Sequence, residues 1–147
     1  MIILRSLAWL ANTAFTIILV IRTHRSSISS RLKWSGLALA AAPAIVVIVT
    51  LLLAALHVQP PPGFGTIMFQ LLFTVTVMAM VNLVTAIFAA MVEAQIAFHE
   101  KYNAANLYRF PVSFLIARPE QLKWFVTLVF CGGSGLMLYG IWFDTHI

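Results

Sequence analysis

The chain reads as all-α: a polytopic membrane protein with four transmembrane helices, the long third helix projecting into the cytoplasm. Three observations predict this class. Of the 147 residues, 62% are hydrophobic and 9% charged, against roughly a quarter charged in a soluble domain. A soluble core of this size could not hide so much apolar surface, because small domains leave much of their surface in water. The apolar residues fall in four runs, about 2–21, 34–58, 66–97 and 120–143, each near or beyond the ~20 residues a helix needs to cross the hydrocarbon. Of the nine Lys and Arg, only Arg5 falls outside the connections and run ends expected on the inner side, the bias that sets topology. Residues 1–147 therefore form a single membrane domain, with cytoplasmic loops 22–33 and 98–119 and an outer turn 59–65.

The first run carries Arg5 near its start, close enough to reach the interface. It ends in Arg22-Thr23-His24-Arg25 with no small-x-small pattern, so it is expected to remain as a span rather than be cleaved as a signal peptide. Arg5, Trp9, Asn12 and Thr16 share one helical face. Polar side chains in a span turn toward protein, which assigns Asn12 to helix packing. The 22–33 connection holds Arg22, Arg25, Arg31 and Lys33 and no acid. It is expected to face the cytoplasm and touch anionic lipid headgroups.

Trp34 opens the second run as an interfacial anchor. Gly36, Ala40 and Ala44 then fall four apart, a small-residue stripe that lets another helix approach closely. Pro43 removes one backbone hydrogen bond and should bend the span. The turn that follows reads QPPPGFG, stiff and uncharged.

Thr66 to about His99 has no proline or glycine. At ~1.5 Å per residue it reaches roughly 50 Å, against a hydrocarbon core of ~30 Å. Gln70, Thr74, Asn82, Thr85, Glu93 and Glu100 lie on one side of the wheel and are expected to look into protein. Asn82 is expected near mid-membrane, where an amide without a partner is costly. Cross-helix hydrogen bonding is its expected use, and lining an ion path is the alternative.

Met91 to Lys123 is the most polar stretch, the one sizeable piece expected to meet water and the place where a partner is expected to dock. It holds Glu93, Glu100 and Glu120, three of the four acids. Pro111 and Pro119 bracket VSFLIAR, too short to span and too oily to float free. Phe114, Leu115 and Arg118 there are expected at headgroup level. Pro119 and Glu120 suit the start of the last helix, where proline fits the first position and an acid meets the positive dipole end. Thr127, Cys131 and Gly135 make a second four-spaced stripe, with Gly132 and Gly133 beside it. Tyr139, Trp142 and Phe143 form an outer aromatic belt, and Asp144 to Ile147 a terminal stub. Both termini then lie on the outer side, and the short loops and basic inner loop point to a bacterial inner membrane, with a mitochondrial one reading alike.

Little of this points to catalysis. A lone Cys131 excludes an intrachain disulfide, a redox pair and a cysteine metal cluster. Glu93, His99 and Glu100 are the best polar set. Glu93 and Glu100 sit about two turns, or ~10 Å, apart on a straight helix, too far to share one metal ion. Haem would need facing histidines at one depth. His57 and His146 lie at the outer end, and His24 and His99 lie near loops. No phosphate loop, nucleophile elbow or HExxH occurs. No metal or other cofactor is expected, and no nucleic-acid partner, since the basic residues sit in loops between apolar runs. The expected function is that of a small, non-catalytic subunit of a larger membrane complex of respiratory, transport or secretion type, its partners other integral membrane subunits. Two alternatives stand beside it. One is a homo-oligomeric channel or transporter using the polar face of the third helix. The other is a membrane enzyme acting on a lipid or quinone near Glu93, His99 and Glu100.

Overall fold

The computed structural model describes residues 2–143. Four long helices carry the fold: α1 (Ile2–His24), α2 (Ile28–Ala55), α3 (Phe64–Tyr102) and, last in the chain, α5 (Pro119–Phe143). Between α3 and α5 lie a single 3-10 turn, Ala104–Asn106, and the six-residue helix α4 (Val112–Ala117). Among the described residues there is no strand. All four long helices have the length and hydropathy to cross a membrane, which points to a membrane location.

The helix ends follow from local chemistry. Ser27 caps α2, its hydroxyl accepting from the amide of Ser30. Gly63 caps α3 with φ 82°, a left-handed conformation that favours glycine. The turn before it also holds His57 at φ 53°, where the chain leaves α2. Pro119 begins α5, its missing N–H being one that no helix start satisfies.

The helices run further than the apolar runs alone indicate. α1 and α2 take up most of 22–33 and leave a three-residue connection, Arg25 to Ser27. The physical reason is that hydropathy marks the length able to sit in lipid, whereas Arg, Lys and a capped Ser are compatible with helix beyond it. α3 has 39 residues, roughly 58 Å at ~1.5 Å each. α2 continues through Pro43.

α3 is the central element. It packs on α2, α5 and, more lightly, α1, while α1 packs on α5. The register is antiparallel, since Trp9 reaches Gly135 and His24 reaches Trp124 between α1 and α5. Gln70 reaches Ile141 and Glu93 reaches Lys123 between α3 and α5. We call the end that carries the 25–27 and 103–118 connections the basic end.

The bundle is inverted relative to a soluble one. Thr16, Arg31, Ser35, Asn82, Thr85, Thr127 and Ser134 are buried, while Leu4, Leu51, Phe125 and Leu136 stand in the open. A compact apolar cluster of Val20, Val77, Val81, Cys131 and Leu138 joins α1, α3 and α5. Polar-in and oily-out is the arrangement that a hydrocarbon surround selects.

Gly135 packs against α1, where an added Cβ would sit 3.4 Å from Thr13 Cγ2. At Gly132 nothing lies within 4 Å. A Gly135→Leu variant is therefore expected to lose about 1–3 kcal/mol by overpacking. Gly132→Ala should be neutral or gain up to about 1 kcal/mol from helix propensity. Thermal unfolding in a mild detergent reads both, and equal losses would contradict this packing.

Candidate functional site

The polar residues of α1, α2 and α3 meet where α1 ends and α2 begins. Arg31 lies one turn into α2, on its α3-facing side, with 3% of its surface exposed. Its Nε donates to Asn82 Oδ1 at 3.2 Å and its Nη2 to Thr85 Oγ1 at 2.6 Å. The Thr23 hydroxyl, in the last turn of α1, donates to the same Asn82 Oδ1 at 2.8 Å. Asn82 Nδ2 donates in turn to Ser35 Oγ at 2.8 Å. Only the carbonyl of the amide can accept from a guanidinium, so Arg31 fixes which way Asn82 points. The Thr85 hydroxyl donates in turn to Val81 O at 2.8 Å. Five side chains on three helices thus form one network.

Charge is balanced unevenly around it. Among the described residues no carboxylate pairs with Arg31. The guanidinium is met by the neutral oxygens of Asn82 and Thr85. Lys123, at the start of α5, instead holds two carboxylates, with Nζ 2.9 Å from Glu93 Oε1 and 2.9 Å from Glu120 Oε1. Both of those acids are more than half exposed.

A cleft of about 360 Å³ opens beside the network. Its walls include His24, Ser26, Ser27, Arg31, Glu93 and Lys123. The His24 ring lies against Trp124, centroids 4.0 Å apart. Its Nδ1 is sealed from solvent and has no hydrogen-bond partner. Four helices contribute to these walls, so the cleft exists only in the folded bundle.

The other candidate residues are distributed along the bundle. Gln70 donates to Ile141 O at 3.2 Å, and Thr74 accepts from Trp142 Nε1 at 3.2 Å, both near the end opposite the basic one. His99 Nδ1 lies 3.3 Å from the Asn103 amide, and Glu100 is exposed in the last turn of α3. Glu93, His99 and Glu100 do not converge: Glu93 turns to Lys123, His99 to Asn103. Asn12 and Thr16 hydrogen-bond within α1, to Ala8 O and Asn12 O. Cys131 is in the core and Gly135 against α1. Gly36, Ala40 and Ala44 are exposed on the side of α2 away from α3, with nothing within 4 Å of a Cβ at Gly36. Phe114 and Arg118 are exposed. The Leu115 side chain, His146 and the Asp144–Ile147 stub lie outside the described residues.

The sequence alone does not single out Arg31, Ser35, Thr23 or His24. Arg31 reads as one more loop cation until α2 is seen to start at Ile28. Asn82, expected midway through a span, has partners from the last turn of α1 and the first two turns of α2, so it sits level with their connection. The available signal was spacing: Ser27, Arg31 and Ser35 are four apart on one face, and Asn82 and Thr85 three apart on another.

No known protein family, curated protein or solved structure matches this chain.

Asn82→Leu removes the acceptor and donor shared by Arg31, Thr23 and Ser35. It is expected to destabilise the bundle by about 1–3 kcal/mol, because buried polar groups are left unpaired. Thr50→Val, which removes only a bond to Val46 O on an exposed face of α2, should change stability by less than about 0.5 kcal/mol. Unfolding midpoints in detergent measure the contrast, and equal effects would mean that the network contributes nothing.

Proposed function

We propose that the chain is a small, non-catalytic integral subunit of a larger membrane assembly of respiratory, transport or secretion type. It joins its partners through the outer face of α2. The observation that carries this reading is the position of α2. It packs chiefly on α3, and its Gly36, Ala40 and Ala44 stripe is exposed on the side away from α3, with nothing within 4 Å of a Cβ at Gly36. In lipid, apolar surface gives no drive of its own for helices to associate, and small residues that let backbones come close supply much of the attraction. A stripe unused within the chain is therefore suited to a helix from another subunit. In this reading the basic end faces the cytoplasm by the positive-inside rule, both termini lie outside, the last turns of α3 project inward, and the membrane is a bacterial inner one.

The polar side chains of α3 support the same choice over a channel. Gln70, Thr74, Asn82, Thr85 and Glu93 each hydrogen-bond to another helix of this chain. A conducting path would need such groups turned to water. The enzymatic alternative at Glu93, His99 and Glu100 needs a convergence that those three side chains do not make.

A Gly36→Leu/Ala40→Leu variant tests the reading. Blue-native electrophoresis of mildly solubilised membranes is expected to show the chain leaving a large complex. The melting midpoint of the purified bundle should stay within about 2 °C of the parent, since surface changes away from packed features cost little. Crosslinks from α2 to different chains would support a hetero-complex, and crosslinks only to itself would transfer the argument to a homo-oligomer. A complex that survives both leucines intact would overturn the reading.

A further inference from the structure

The cleft at the basic end has the chemistry of an oxyanion site, and this stands independently of any partner for α2. We propose that it binds a phosphate group, with Arg31 as the principal cation. Four observations converge on this. Arg31 is almost fully buried yet lines the cleft, and no carboxylate of the described residues answers its charge. A buried charge met only by neutral groups is costly, and an incoming anion relieves that cost. Two of the guanidinium nitrogens are taken, Nε by Asn82 and Nη2 by Thr85. The network therefore locks the planar fork in place while leaving donors to spare, the preorganised geometry that phosphate recognition uses.

The neighbouring groups are of the matching kind. Ser26 and Ser27 line the cleft with hydroxyls. Ser27 satisfies the amides of Ser30 and Arg31, which leaves the amides of Ile28 and Ser29 without an acceptor in the helix. Glu93 and Glu120 also line the cleft and offset the charges of Arg31 and Lys123 in number, but they do not pair with Arg31. Both Glu93 and Glu120 turn onto Lys123 and are more than half exposed, so water screens them, whereas Arg31 is screened by nothing comparable. At about 360 Å³ the cleft is at the small end of the ~300–1,000 Å³ usual for ligand pockets, enough for a phosphate and the glycerol it is esterified to. The same chemistry serves a phospholipid headgroup or a free phosphate, and the experiment separates them.

The full chain is purified in mild detergent and examined by native mass spectrometry with phosphatidic acid and with diacylglycerol of the same acyl chains. The two lipids differ only in the phosphate. Phosphatidic acid is expected to be retained at least about tenfold better, the size of one charge-assisted contact. Ser26→Asp places a carboxylate in the cleft from an exposed position and should abolish that preference with helicity unchanged by circular dichroism. Arg31→Gln should do the same, and if it does not fold, Ser26→Asp decides alone. Inorganic phosphate is the second arm. If it raises the melting midpoint in the parent but not in Ser26→Asp, and displaces the lipid, the site takes free phosphate. If it does neither while phosphatidic acid is held, the source is the lipid headgroup. Equal retention of both lipids with no phosphate effect would overturn the proposal. So would a phosphatidic acid preference that persists in Ser26→Asp.

Discussion

A guanidinium enclosed by apolar helices has to be answered by oxygen, and this requirement organises the basic end. Arg31 finds its oxygens on α3, at Asn82 and Thr85. Asn82 is thereby oriented, and only in that orientation can it accept from Thr23 and donate to Ser35. α1, α2 and α3 are tied at one point by directional bonds. Elsewhere α2 meets α3 through half-buried Ala38, Leu39, Ala42, Val46, Val49 and Leu53. Such contacts hold helices together but tolerate sliding and rotation. The network therefore sets the register of α2, and through it the direction in which Gly36, Ala40 and Ala44 face.

The same logic applies at the far end with weaker groups. Gln70 and Thr74 are tied to the last turns of α5 through Ile141 and Trp142, and Trp9 donates to Gly135 O at 2.9 Å. Polar side chains in this bundle act as pins between helices that otherwise touch through oil. An apolar surround makes this necessary, because a polar group turned outward there would have neither water nor protein to bond.

The four helices were legible because hydropathy and length are properties of single segments, and a bilayer translates them directly into spans. The start of α5 was legible for a similar reason, since Pro119 and Glu120 act locally. The site was not, because it depends on which residues share a level across helices. Asn82 could be singled out as a polar group needing a partner, yet nothing in α3 identifies that partner as Arg31, 51 residues earlier. Arg31 was hidden by its neighbours, for Arg22, Arg25 and Lys33 make it look like one of a basic cluster. What separates it is a helix boundary three residues away, set by the Ser27 cap. Ser27, Arg31 and Ser35 at helical spacing carried that information, but only to a reader who already placed the helix start at Ile28.

The identity of residue 31 leads further than its hydrogen bonds. A clamp that only joined α2 to α3 would need donors to Asn82 and Thr85 but no charge brought into a poor dielectric. Arginine carries a charge beyond what that clamp requires. The nearby acids do not neutralise it, since Glu93 and Glu120 both face Lys123. A cation kept buried, rigid and unmatched beside an open cleft is costly to the folded chain by itself and favourable once an anion sits next to it. A bound anion, if the proposal holds, would share in stabilising this end of the bundle. Binding there would tighten the union of the helices at the same end that fixes the orientation of α2. If the cleft takes phosphate as proposed, its occupancy would steady the direction in which the Gly36, Ala40 and Ala44 stripe faces.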